Sequence, residues 1–159
     1  MCIEIKVGIS DYKVTSPPNT LITLGLGSCV GIAIYDRLTK VGGLSHIMLP
    51  DSSQFKGEKK VEKFADLAIP SMVEEISRGK GTRNLRAKIA GGASMFNFSS
   101  NPNMAIGERN IQAVIRILEE LKIPIIGQDT GGSTGRTMLV DLEDFSVSIR
   151  TGNRIITSL

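Results

Sequence analysis

Apolar and polar positions alternate over CIEIKVGI and again over DYKV, the mark of a half-buried strand, with a break near Gly8 and Ser10. Pro17 and Pro18 end this segment, and LITLGLG opens a second extended run. From Cys29 to Pro50 the order is CVGIAIYD, RLTK and VGGLSHIMLP, two β-branched apolar runs around a short polar connection, which predicts a hairpin. A polar, lysine-rich loop occupies 51–60. Beyond it Val61, Ala65, Ala68, Met72, Val73 and Ile76 recur at three- and four-residue spacings. That pattern predicts an amphipathic helix ending near Gly79 and kinked at Pro70, where one backbone bond is lost.

AKIAGG then reads as a short buried strand and ASMFNFSSNPN as a loop. A second helix carries Ile111, Val114, Ile115, Leu118 and Leu121 on one face, with Pro124 closing it. IPIIGQDTGG, RTMLVDL and FSVSIRT complete the pattern as three strands joined by turns. About eight strands and two helices, with the strands in hairpins at both ends, predict an α+β fold. Its expected form is an α/β sandwich of mixed, largely antiparallel sheets rather than a doubly wound sheet. With no repeat, low-complexity tract or linker, residues 1–159 are expected to form a single domain. A chain of this size buries roughly two thirds of its unfolded surface and needs no disulfide or metal to fold.

Composition narrows the functional classes. A net charge of +3 with basic residues scattered among acids, only seven aromatic residues and no Trp gives little to stack on bases, so nucleic-acid binding is not expected. The bias remains compatible with an acidic protein partner. MCIEIKVG lacks the basic-then-apolar order of a signal peptide, and no stretch approaches the ~18 apolar residues of a membrane span. A cytoplasmic, reducing location is the expectation, with no membrane insertion and with free thiols.

Candidate chemistry centres on TLGLGSCVG at 23–31, where Cys29 follows Ser28 in a glycine-rich turn, and on His46, the one histidine of the chain. A hairpin loop of two or four residues places Cys29 opposite Met48, and His46 then lies on the same face, one diagonal step away. Diagonal neighbours sit about 7–8 Å apart, within reach of an imidazole leaning toward a thiol. An odd loop would separate the two across the sheet. A neighbouring imidazolium would stabilise the Cys29 thiolate and later donate its proton to a leaving group. The glycines leave backbone N–H groups of the turn uncovered, so Ser28 and Gly27 are candidate oxyanion- or substrate-binding positions, together with the Cys29 amide. Thr23 would fix the histidine tautomer if its strand runs beside the hairpin, with Asp129 and Thr130 as weaker candidates. Read without His46, the same turn favours a small buried residue in a tight bend.

Other site types fail on spacing. Val30 replaces the third glycine of a dinucleotide fingerprint, and a strand-like run replaces its helix. No Gly-Lys-Ser/Thr follows the glycines, and Tyr35 stands where a cysteine phosphatase loop needs its arginine. Two separated cysteines and a single histidine are too few for zinc. GGAS at 91–94 and TGGSTG at 130–135 read as turns placed to line the same cleft.

TLGLGSCVG, SHIMLPDS at 45–52, AKIAGGASMF at 87–96, IGERN at 106–110 and DTGG at 129–132 together resemble the CheD family of chemoreceptor glutamine deamidases, in the same order over nearly the whole chain. The resemblance implies an α/β sandwich with a core similar to that of the deamidating cytotoxic necrotizing factor toxins. It also implies a catalytic set of Cys29, His46 and Thr23, with no metal or organic cofactor. The implied substrate is a glutamine side chain in the cytoplasmic helices of methyl-accepting chemoreceptors, converted to glutamate through a Cys thioester. The implied second partner is a CheC-type phosphatase, for which the loop Met95, Phe96, Asn97 and Phe98 offers apolar side chains. Pro70 and the NFSSNPN loop are where relatives are expected to differ. The alternative function is a non-catalytic adaptor that binds receptors or the phosphatase through the same cleft.

Overall fold

The computed structural model describes residues 2–53, 55–94, 105–152 and 156–159. Ten strands and two α-helices are found among them. In chain order they are β1 (Glu4–Lys6), β2 (Asp11–Thr15), β3 (Thr20–Leu26), β4 (Val30–Asp36), β5 (Gly42–Ile47), α1 (Ala65–Ser77), β6 (Leu85–Gly91), α2 (Ile106–Glu120), β7 (Ile125–Thr130), β8 (Arg136–Asp141), β9 (Ser146–Thr151) and β10 (Ile156–Ser158). One five-stranded sheet has the order β1-β3-β8-β9-β10 and the other β2-β5-β4-β6-β7. Both are mixed, with β1–β3 and β6–β7 parallel. The α+β sandwich expected from the pattern is the observed class.

The break near Gly8 and Ser10 divides the first extended segment between the sheets, β1 pairing with β3 and β2 with β5. Strand β10, which the pattern did not signal, adds an edge to β9.

Strand β4 explains the layering. All residues from Val30 to Tyr35 are buried, because one face meets the helices and the other meets the second sheet. Val30, Ile32 and Ile34 pack with Ala68, Met72, Val114 and Leu118, while Cys29, Ala33 and Tyr35 face Leu26, Met138, Val140 and Ile149. Each large aliphatic side chain sealed in these layers contributes about 1.5–3 kcal/mol. Tyr35 stacks on Phe145 across the sandwich with centroids 4.6 Å apart.

Helix α1 starts later than the apolar spacing predicts. Val61 belongs to a 3₁₀ turn and is 38% exposed, and Phe64 is the N-cap. Pro70 lies inside a single helical element on its exposed side, so the expected interruption does not divide it. The helix closes where Arg78 turns left-handed, next to Gly79. Helix α2 buries Val114 and Leu118 as its spacing requires and makes the crossover between parallel β6 and β7. No helix among the described residues is long and apolar enough to cross a membrane. The docking loop Met95–Phe98 and the NFSSNPN segment lie outside the described residues.

Candidate functional site

Hairpin register decides whether the cysteine and the histidine share a face. Asp36 N–H bonds Val41 O at 2.9 Å, leaving Arg37–Lys40 as a four-residue loop. The ladder then pairs Tyr35 with Gly42, Gly31 with His46 and Val30 with Ile47, which carries Cys29 opposite Met48. Both Cys29 and His46 therefore face the second sheet. At His46 the neighbour across the ladder is Gly31, where any Cβ would strike Met138 Sδ at 2.7 Å.

Thr23 reaches the histidine from the facing sheet and not from a neighbouring strand. Its Oγ1 lies 2.7 Å from His46 Nδ1 and donates its proton to Val7 O, also at 2.7 Å. A hydroxyl has one proton, so toward His46 it acts as acceptor, and His46 carries its hydrogen on Nδ1. Nε2 is left with a lone pair, is buried, and has no hydrogen-bond partner among the described residues. A bulge positions Thr23: between Thr23↔Met138 and Leu26↔Arg136 the register slips, with Gly25 at φ +70°. That slip turns both Thr23 and Leu26 inward and leads the chain into the Cys29 turn. Asp129 pairs instead with Arg136 at 3.9 Å.

The turn before β4 is held by its carbonyls. Gly27 O accepts from Ala93 N–H at 2.8 Å, Cys29 O accepts from Gly92 N–H at 2.8 Å, and Ser28 O accepts from the side chain of Asn110 at 2.9 Å. Gly27 N–H is used within the turn, on Gly25 O at 3.0 Å, so of the candidate donors the Ser28 and Cys29 amides are those without a main-chain acceptor among the described residues. Gly91 and Gly92 have positive φ, and a Cβ on Gly91 would collide with Cys29 O. Arg136 donates to Gly91 O at 2.8 Å, to Asp129 O at 2.9 Å and to Gly131 O, joining the two glycine turns behind the site. Main-chain bonds join these turns to the Cys29 turn, Gly92 and Ala93 N–H directly and Gly131 N–H through Gly91 O.

Burial acts on both reactive groups. It pushes the Cys29 thiol up, against the opposing pull of its own backbone N–H. It lowers His46 to about 4. Cys29 is 8% and His46 1% exposed. Both shifts favour the uncharged forms, a Cys29 thiol and a neutral His46 imidazole, over the thiolate–imidazolium pair expected from sequence, because a buried interface penalises both charges. Such a pair suits proton transfer from sulfur to Nε2 in step with attack on a carbonyl carbon. Among the described residues no three His, Cys, Asp or Glu side chains gather as a metal site.

Asn110 went unrecognised in the sequence. The available signal was a polar residue on the stripe that continues through Ala113, Val114 and Ile117, the buried face of α2.

Comparison with known proteins adds an independent line. A family model described as "CheD chemotactic sensory transduction" matches residues 48–151. A Clostridium novyi protein named "Probable chemoreceptor glutamine deamidase CheD" is 57% identical over 150 residues, covering 93% of each chain. Proteins of the same name from Clostridium acetobutylicum and Clostridium kluyveri are 57% and 55% identical over 150 residues, covering 93% of this chain and 90% and 93% of theirs.

Proposed function

The chain belongs to the CheD family, and we propose that it deamidates glutamine side chains of chemoreceptors with Cys29 as nucleophile, His46 as general base and acid, and Thr23 as the group that orients the ring. The observation that carries this reading is the Thr23 hydroxyl, 2.7 Å from both Val7 O and His46 Nδ1, which leaves Nε2 as a buried base with no partner among the described residues.

In the first step the Cys29 proton passes to His46 Nε2 as sulfur attacks the carboxamide carbon. The oxyanion that develops is held by the N–H groups of Ser28 and Cys29. Collapse breaks the C–N bond, His46 gives its proton to the departing nitrogen, and ammonia leaves a thioester on Cys29. Water then attacks that thioester as His46 takes its proton. Cys29 sulfur is expelled and reprotonated, releasing glutamate. No step draws on a metal or organic cofactor.

The product is a new carboxylate on the receptor, which resets a signalling surface in chemotaxis. Both sheets contribute to one site, which supports reading 1–159 as one domain. A reducing cytoplasm suits the two free cysteines. The CheC-type phosphatase belongs to the same reading as a second partner, competing with receptors for the protein.

Mass spectrometry of a chemoreceptor cytoplasmic fragment tests the proposal. Incubation with the protein converts specific glutamines to glutamate, and Cys29→Ala abolishes the conversion. A fragment left unchanged by the wild-type chain would favour an adaptor.

A further inference from the structure

Asn110 is fully buried on the first turns of α2, and its side-chain amide bridges two segments that carry the site. Nδ2 donates to Ser28 O and to Met48 O, each at 2.9 Å. Ser28 precedes the nucleophile, and Met48 lies two residues beyond His46 on the continuation of β5. Both hydrogens of the amide are used, and Oδ1 has no partner among the described residues. A flipped amide would set its oxygen against two carbonyl oxygens, so the orientation is fixed by those acceptors.

Two glycines let Asn110 come this close. A Cβ on Gly107 would collide with the carbonyl oxygens of Gly92 and Ala93, and one on Gly92 would collide with Ile111. Helix α2 is therefore pressed onto the end of β6, one turn before Asn110.

The consequence follows from peptide planarity. The Ser28 carbonyl and the Cys29 N–H belong to one rigid trans plane and point in opposite directions. The planes on either side are held by main-chain donors, Ala93 N–H on Gly27 O and Gly92 N–H on Cys29 O. The plane between them, which carries the Cys29 N–H, is held by a side chain, that of Asn110.

We infer that Asn110 is a positioning residue: it holds the Ser28–Cys29 peptide so that the Cys29 N–H meets the oxyanion of the tetrahedral intermediate, and through Met48 it keeps that peptide in register with His46. This inference rests on the deamidase reading above. The residue touches neither substrate nor the reacting atoms, and acts through the peptide it fixes.

The test uses the full chain with Asn110→Leu, which keeps the bulk and removes the donors, and Asn110→Asp, which donates only when its carboxyl is neutral. Deamidation kcat and KM on a chemoreceptor fragment are measured beside the rate of Cys29 alkylation by iodoacetamide, a reaction that forms no oxyanion. For Asn110→Leu we expect kcat to fall by about 10–100-fold, the scale of a displaced oxyanion donor. KM and Cys29 alkylation should stay within about threefold, well below the loss expected in the oxyanion-dependent step. The activity of Asn110→Asp relative to wild type should rise from mildly alkaline to mildly acidic pH, as the buried acid becomes neutral and regains one bond. An unchanged kcat in Asn110→Leu, or a kcat loss matched by an equal loss of alkylation, overturns the role. If Asn110→Leu does not fold, a pH-independent ratio for Asn110→Asp overturns it equally. Cys29→Ala and the wild type run in parallel keep the two readings apart. Conversion by Cys29→Ala defeats the assignment of Cys29 as nucleophile, and none by the wild type defeats the deamidase reading, whereas Cys29-dependent conversion with an unaffected Asn110→Leu defeats this inference alone.

Discussion

Replacing Thr23 by valine keeps the shape of the side chain and removes its hydroxyl. Two buried groups then lose a partner at once, the Val7 carbonyl and His46 Nδ1–H, each 2.7 Å from Oγ1 in the native protein. Val7 and His46 are each 1% exposed, so water cannot replace the hydroxyl. A stranded buried polar group costs about 1–3 kcal/mol, and Thr23→Val, which strands two, should lose roughly 2–6 kcal/mol of stability in total. The effect on rate comes from the ring. The accepting hydroxyl favours hydrogen on Nδ1 by about 1–1.5 kcal/mol, close to a tenfold bias toward the tautomer whose Nε2 can act as base. With orientation lost as well, kcat/KM should fall by about 10–100-fold, while Thr23→Ser, which keeps the oxygen, stays within a fewfold of wild type. His46 is the chain's one histidine, so nitrogen NMR of a ring-labelled sample reads the tautomer directly. A Thr23→Val protein that keeps both the Nδ1–H tautomer and the wild-type rate would refute the orienting role.

The remaining predictions use the same geometry. His46 in the folded chain takes a proton only near pH 4, against an ordinary value of 6.5, so the unfolded chain binds more protons between these values. Stability is therefore full above about pH 6.5 and is lost as pH falls toward 4, by up to about 3 kcal/mol, a slope that His46→Gln should remove from denaturant titrations. At neutral pH iodoacetamide should label exposed Cys2 before Cys29, whose thiol burial has pushed up; peptide mapping that finds Cys29 first would indicate a charged Cys29–His46 pair instead. Gly91→Ala places a Cβ against Cys29 O at a positive φ, and should cost about 1–3 kcal/mol in thermal unfolding and displace the nucleophile turn, with deamidation lost more steeply than stability.

The parts legible in the sequence were those set by local rules. A four-residue connection between two β-branched runs fixed the parity of Cys29 and His46, and the spacing of Val114 and Leu118 marked the buried face of α2. Contacts made across layers were not legible. Thr23 meets His46 because two sheets face one another, and the switch of the first segment from one sheet to the other at Gly8 has no local mark beyond a broken alternation. Val61 fits the helical spacing, yet the helix begins only after Phe64, where the chain has passed alongside Leu49. Burial was also hidden. The charge state of the Cys29–His46 pair depends on desolvation by residues distant in sequence, which is why a thiolate pair was the natural expectation and a neutral pair is what the fold favours.

The central claim is that Cys29 becomes covalently bonded to the receptor during turnover. Rapid acid quench of the protein mixed with a chemoreceptor cytoplasmic fragment, followed by intact and peptide mass analysis, tests it most directly. The account predicts a hydroxylamine-labile adduct joining Cys29 to a receptor glutamine position, formed and lost on the timescale of deamidation and absent from Cys29→Ala. Glutamine conversion that proceeds without any adduct on Cys29, and persists in Cys29→Ala, would contradict it.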